Sequence, residues 1–218
     1  MSRKKCASTP VAAAQGVLFI VSAPSGAGKT SLVNALLEHE QNMMVCVSHT
    51  TREMRPNERD GVNYHFVDTS TFERMISENA FFEHAEVFGN FYGTSKSAVK
   101  QDLAAGRNVV LEIDWQGAAQ IRRVFPQAVS IFILPPSLAT LRGRLHSRGQ
   151  DEPAVIEARL AQARGDISHC IEFDHVVVND EFGAALQEMR AIARATPGCR
   201  AQPSAVVQTL LDELLTAD

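Results

Sequence analysis

The chain has 218 residues, 45% of them apolar, which is ordinary for a globular protein and enough to bury a substantial core. Its 21 lysines and arginines stand against 25 aspartates and glutamates, and a net charge of −4 with both signs interspersed argues against a nucleic-acid or membrane-surface protein. No uninterrupted apolar stretch approaches the length needed to span a bilayer.

In chain order, residues 1–15 open with Arg3, Lys4 and Lys5, but small mixed residues follow in place of a hydrophobic segment. This reads as a flexible basic leader rather than a secretory signal. The apolar run 17–21 predicts a buried strand, and it feeds directly into Ala23-Pro24-Ser25-Gly26-Ala27-Gly28-Lys29-Thr30. That stretch nearly matches G-x-x-x-x-G-K-[ST], the loop that wraps nucleotide phosphates, with Ala23 in place of the first glycine. Gly26 and Gly28 let the backbone turn sharply and aim successive N–H groups at an anion. Lys29 supplies a mobile ammonium, the Thr30 hydroxyl suits a magnesium ligand, and a helix over 31–38 directs its positive end at the same charge. A flexible glycine turn is the bland alternative; the strand before and the helix after favour a phosphate loop.

Further apolar runs at 109–113, 130–134 and 176–178 predict strands, and Cys46-Val47 adds a fifth. Continuous apolar character, rather than alternation, suits a parallel sheet covered on both faces. Amphipathic stretches at 116–124, 138–145, 153–169 and 181–194 predict the intervening helices. A last helix over 204–215 is expected to pack through Val207, Leu210, Leu211 and Leu214. The alternation predicts an α/β fold with right-handed crossovers. Two regions interrupt it. Residues 49–94, with a partly alternating run at 62–66 and a helix over 70–78, read as an inserted subdomain. Residues 144–151, basic and hinged at Gly149, suit a mobile lid better than a packed element. Cys6, Cys46, Cys170 and Cys199 lack metal or redox spacing and read as reduced thiols of a cytoplasmic protein.

The inserted segment carries Arg52 and Arg55, whose planar guanidinium groups can clamp a phosphate. It also holds the only two tyrosines, Tyr64 and Tyr92, as well as Glu83 and Thr94. Solvated surface charge is the alternative for each arginine alone. Glu112 and Asp114 end a predicted strand, where open α/β sheets bind ligands. Asp114 reads equally well as a helix N-cap.

The segments APSGAGKT, VSHTTREMR, FFEHAEVFGNFYGTS, EIDWQG, FILPPS, RLHSRGQD and VVVND occur in the order found in guanylate kinases, and the chain resembles that family from about residue 16 to 194. The resemblance implies a P-loop core with transfer of the γ-phosphoryl of ATP to GMP, assisted by Mg2+. It implies a core of 16–48, 95–140 and 173–218, a GMP-binding subdomain at 49–94 and a lid at 141–172. It assigns Ala23, Pro24, Ser25, Gly26, Ala27, Gly28, Lys29 and Thr30 to ATP, with Asn179 and Asp180 beside the adenine; Asp180 also suits a helix cap. Ser48, Glu83, Thr94 and Asp114 fall to the guanine base, and Arg52, Arg55, Tyr64 and Tyr92 to the GMP phosphate, with Glu58 lining that site. Lys29, Arg144, Arg148 and Arg159 become the catalytic cations, and Thr30 and Glu112 the magnesium side. Carboxylates at Glu83 and Asp114 suit the N1–H and 2-amino donors of guanine, whereas adenine leaves them unmatched at about 1–3 kcal/mol per group. Glu112 stands where an aspartate is usual, Met54 replaces a proline, and Asn57 replaces a glycine. A monophosphate kinase of another base preference and a non-catalytic scaffold are the competing readings; the intact Gly28-Lys29-Thr30 speaks against the second. A homo-oligomer is compatible with the sequence.

Overall fold

A computed structural model describes residues 15–147, 153–195 and 204–216. Its centre is a five-stranded sheet of β1 (Leu18–Ser22), β2 (Met43–Val45), β7 (Asn108–Glu112), β8 (Val129–Leu134) and β9 (His175–Val178), in the order β2-β7-β1-β8-β9. Every pairing in it is parallel. All five residues of β1 and all six of β8 are buried, which is why these segments are apolar apart from Ser22 and Ser130.

Side chains leave the sheet alternately to its two faces. Phe19, Val21, Val110, Ile131, Ile133 and Val177 pack on one side. They meet α1 (Lys29–His39), α5 (Leu138–Ser147), the first half of α6 (Pro153–Ser168) and α7 (Phe182–Arg194) through Leu32, Leu36, Leu141, Leu145, Ile156, Leu160 and Met189. Leu18, Ile20, Val109, Leu111, Phe132 and Leu134 pack on the other. There they meet α3 (Lys96–Ala104), α4 (Trp115–Val124) and α8 (Ala205–Thr216) through Val99, Leu103, Ala118, Ile121, Leu211 and Leu214. Val207 and Leu210 of α8 also pack against this second cluster.

A second sheet, ordered β4-β3-β6-β5, is built from β3 (His49–Thr50), β4 (His65–Phe66), β5 (Phe81–Val87) and β6 (Asn90–Ser95). It is backed by α2 (Thr69–Ser77), which Asp68 caps by accepting from the Thr71 amide. Phe72 of α2 is fully buried and stacks on Phe81 and Phe91. This small sheet occupies the stretch that breaks the β-α alternation.

Several expectations change. The fifth strand is Met43–Val45 rather than Cys46-Val47, although the Cys46 amide still donates to the Val110 carbonyl at 2.9 Å. In the run at 62–66, Val62 and Asn63 lie in a turn, Tyr64 bridges to Asp60, and only His65–Phe66 belong to a sheet strand. Helix α3 and the β5–β6 hairpin were not foreseen. Arg144 belongs to the packed helix α5 rather than to a mobile lid, because Leu141 and Leu145 anchor that helix in the core. Helix α7 is capped by Glu181, whose carboxylate accepts from the Gly183 and Ala184 amides, so Asp180 is not the cap. The leader through residue 14, Arg148, Cys6 and Cys199 lie outside the described residues. Cys46 and Cys170 are buried and free, and burial pushes both thiols up to about 12. Among the described residues no helix is long and apolar enough to cross a membrane.

Candidate active site

The site lies beyond the carboxyl ends of β1 and β7, with the small sheet facing it. Strand β1 delivers the loop 23–30 into the start of α1. Gly26 and Gly28 take φ values of 91° and 95°, a left-handed backbone that disfavours any other residue. The loop is tied down from β9: buried Asn179 donates its Nδ2 to the Ala27 carbonyl at 2.7 Å. A Cβ on Gly28 would collide with that Nδ2. Among the described residues, Asn179 Oδ1 is buried without a hydrogen-bond partner. Arg144 reaches the same junction, its guanidinium donating to the Asn179 carbonyl at 2.8 Å and the Ala27 carbonyl at 3.4 Å. In this arrangement Arg144 braces the loop from behind.

Lys29 is half-buried, with its Nζ 3.5 Å from the Ile113 carbonyl. Burial lowers its pKa, while Glu112, Asp114, Asp166 and Glu83 oppose the shift. A bound polyphosphate would add to that opposition and keep the ammonium charged. Thr30 Oγ1 donates to Glu112 Oε2 at 2.9 Å, so the longer glutamate still reaches the loop hydroxyl. One hydroxyl and one carboxylate fit magnesium, which takes most of its ligands from water and substrate phosphates.

In the small sheet, strands β5 and β6 pair Glu83 opposite Thr94. Both are buried, and Thr94 Oγ1 donates to Glu83 Oε1 at 2.5 Å. Burial pushes the Glu83 carboxyl up to about 7; the Thr94 bond works against the shift and nearby Asp114 adds to it. Asp114 caps α4, its Oδ1 accepting from the Gly117 amide at 2.8 Å and its Oδ2 from Gln116 Nε2 at 3.1 Å. It lines the cleft while doing so; cap and cleft wall are one residue. Ser48 is buried at the end of the segment joining β2 to β3.

Arg52 and Arg55 do converge. Arg52 donates to both Glu58 oxygens, at 2.7 and 2.9 Å, and Glu58 also accepts from the Arg55 amide at 2.9 Å. Burial alone would push Glu58 up, but those bonds hold it below the usual carboxylate range. Glu58 therefore orients the clamp from within. Tyr64 lies beside Arg52 and Tyr92, with the Arg52 guanidinium 5.5 Å from its ring centre and the two tyrosine rings 5.9 Å apart. Burial pushes the Tyr64 hydroxyl up to about 12, so it remains a donor at neutral pH.

These groups share two adjoining cavities. One, of about 690 Å3, runs from Thr30 and Glu112 past Ser48 to Arg52, Arg55, Glu58, Tyr64 and Tyr92. The other, of about 330 Å3, joins the phosphate loop to Glu83, Asp114, Arg55, Tyr92 and Arg159. Arg159 extends from α6 to within 3.4 Å of Ser25 Oγ. Thr94 and Asn179 back these walls from buried positions, and exposed Asp180 lies past β9.

The sequence reading missed three contributors. Asp166, on α6, lines the second cavity, and burial and Asp114 push its carboxyl up to about 6. Gly117 lies against Glu83, where a Cβ would come 2.7 Å from Oε2. Phe88, at the β5–β6 turn, reaches the same cavity. The glycine inside EIDWQG was the available signal for the second; nothing local marked the others.

The family model described as guanylate kinase matches residues 15–196. The chain is 58% identical over 183 residues to a guanylate kinase of Thiobacillus denitrificans, covering 84% of this chain and 88% of that one. It is 55% identical over 201 residues to the guanylate kinase of Saccharophagus degradans, covering 92% and 98%. The crystal structure of guanylate kinase from Anaplasma phagocytophilum superposes with a TM-score of 0.72 at 37% identity, over 91% of this chain and 95% of that one. With a phosphate loop, an arginine clamp and paired carboxylates on one cleft, the chain belongs to the guanylate kinase family and is a kinase.

Proposed function

We propose that this chain moves the γ-phosphoryl of ATP to GMP, giving ADP and GDP, with Mg2+ as cofactor. The observation that carries this reading is that Lys29, Arg55, Glu83, Asp114 and Arg159 line a single cavity. Donor phosphates, acceptor phosphate and acceptor base thereby meet in one cleft.

The loop Ala23 to Thr30 holds the ATP phosphates through backbone N–H groups and Lys29. Glu83 and Asp114 accept from N1–H and the 2-amino group of guanine, and Ser48 and Thr94 present hydroxyls to its rim. Arg52, Arg55, Tyr64 and Tyr92 grip the GMP phosphate, and Glu58 keeps Arg52 aligned for it. The acceptor oxygen is already anionic, so no strong general base is needed. A loose transition state spreads charge over the equatorial oxygens, and Lys29 and Arg159 stabilise that charge in place. Arg148 closes over the triphosphate, while Arg144 keeps the loop in place through the Ala27 and Asn179 carbonyls. Thr30 and Glu112 would hold the magnesium, which would supply charge neutralisation to the donor phosphates. Asn179 and Asp180 border the adenine. Buried free thiols suit a reducing, cytoplasmic setting.

A coupled assay of ADP formation from ATP, GMP and Mg2+ tests the reading. Lys29→Ala is expected to lower turnover by about 10²- to 10³-fold while GMP still binds. Turnover within a factor of two of the parent would overturn the role of the loop.

A further inference from the structure

The turn between β5 and β6 consists of Phe88 and Gly89, with φ of 51° and 73°. Two consecutive positive φ values are the signature of a tight hairpin turn that Asn-Gly fits well and a bulky side chain fits badly. A phenylalanine in the left-handed region is a true outlier, and here the residue is also 51% exposed. Neither backbone preference nor burial in the hairpin accounts for it. Such outliers point towards function.

Across the cleft the ring meets a cation. The Arg159 guanidinium carbon lies 5.7 Å from the Phe88 ring centre, within range of a cation–π contact. The same guanidinium reaches Ser25 Oγ of the phosphate loop at 3.4 Å. Phe88, Arg159 and Ser25 line one cavity. Phe88 is carried by the hairpin that holds Glu83 and Thr94, whereas Arg159 is carried by α6.

We infer that Phe88 is a positioning residue for the phosphoryl-transfer step: its ring holds Arg159 over the phosphate loop, linking the guanine-reading hairpin to the cation that serves the donor phosphates. The inference rests on the reading of Arg159 given above. A rigid ring is suited to the task because the arginine side chain has many rotamers, and a π-face restricts them without competing for its N–H donors. When the hairpin settles on the base, the same movement sets the arginine.

The test separates turn chemistry from ring chemistry. Phe88→Asn supplies the residue that the turn prefers and removes the ring. It is expected to keep or raise the melting temperature, leave the Kd for GMP within twofold, and lower kcat about three- to tenfold. Phe88→Leu, apolar but without a π-face, is expected to lose kcat similarly, whereas Phe88→Trp recovers most of it. In an Arg159→Ala background, Phe88→Asn is expected to add no further loss. If Arg159→Ala itself keeps the parental kcat, the reading of Arg159 fails and the inference falls with it. If Arg159→Ala lowers kcat while Phe88→Asn or Phe88→Leu does not, the role of Phe88 alone is overturned. Additive losses, or a Phe88→Trp variant as slow as Phe88→Asn, would overturn it too.

Discussion

Gly117 leaves the space that Glu83 fills: a Cβ on the glycine would come 2.7 Å from Glu83 Oε2 and 3.1 Å from its Cδ. The same glycine amide donates to Asp114 Oδ1 at 2.8 Å. One backbone position thus sets the spacing of both carboxylates proposed to read the base. A Gly117→Ala substitution cannot be accommodated without moving Glu83, because a Cβ does not tolerate an oxygen at 2.7 Å. A helical alanine is otherwise favourable. The variant is therefore expected to raise KM for GMP about tenfold or more, with KM for ATP and the melting temperature little changed. Steady-state kinetics with both nucleotides checks the split, and an unchanged KM for GMP would count against the geometry.

The pH dependence should expose Glu83. Its carboxyl is pushed up to about 7 by burial, and only the ionised form accepts from both guanine donors. In the free enzyme kcat/KM for GMP should therefore rise with pH through about 7. Stability runs the other way: a carboxyl whose folded pKa is raised favours the folded state in its neutral form. That contribution is fully present below about 4.5 and is lost as pH climbs through about 7. Glu83→Gln keeps an acceptor for Thr94 and removes the buried charge. It should melt higher than the parent at pH 8 and show a shallower pH dependence of melting, while binding GMP poorly. Melting curves at pH 6 and 8 that run parallel for parent and variant would contradict this.

The clamp predicts a different signature. Arg55 donates its amide to Glu58, and that bond survives truncation of the side chain. Arg55→Ala should therefore leave Arg52 and Glu58 paired and folding intact, but remove charge-assisted contacts to the acceptor phosphate. Loss of about 1.5–3 kcal/mol would raise KM for GMP at least tenfold. Guanosine, which lacks the phosphate, should inhibit parent and variant equally. A larger loss of guanosine binding in the variant would place Arg55 elsewhere.

The sequence made the large sheet legible because residues 18–21 and 131–134 are apolar throughout, a pattern that a two-sided cover explains. The phosphate loop was legible for a similar reason: strand, glycines and lysine stand together. Other elements carried weaker marks. Helix α3 buries Val99 and Leu103 alone among nine residues, too narrow a stripe to stand out. The β5–β6 turn is Phe88-Gly89, outside the usual turn dipeptides, so the hairpin was silent. The fifth strand slipped because Met43-Met44-Val45 and Cys46-Val47 form one apolar run with no internal stop. Adjacent acids hid the α7 cap, since Asp180 and Glu181 are equally good candidates in the sequence and only Glu181 turns back onto the first helical amides. In the site, Glu83, Thr94 and Asp114 could be singled out by residue type and resemblance. Their mutual spacing through Gly117 could not, because it depends on how α4 seats against β5.

Base choice bears most directly on the central proposal, that two nucleotides meet in one cleft and paired carboxylates select the acceptor. The measurement is the rate of ADP formation from ATP and Mg2+ with GMP, AMP, CMP and UMP at equal concentrations. GMP is expected to exceed each of the others by at least about a hundredfold, because adenine leaves Glu83 and Asp114 without their N–H partners. Faster phosphorylation of AMP, CMP or UMP than of GMP would contradict the assignment of those carboxylates to the guanine edge.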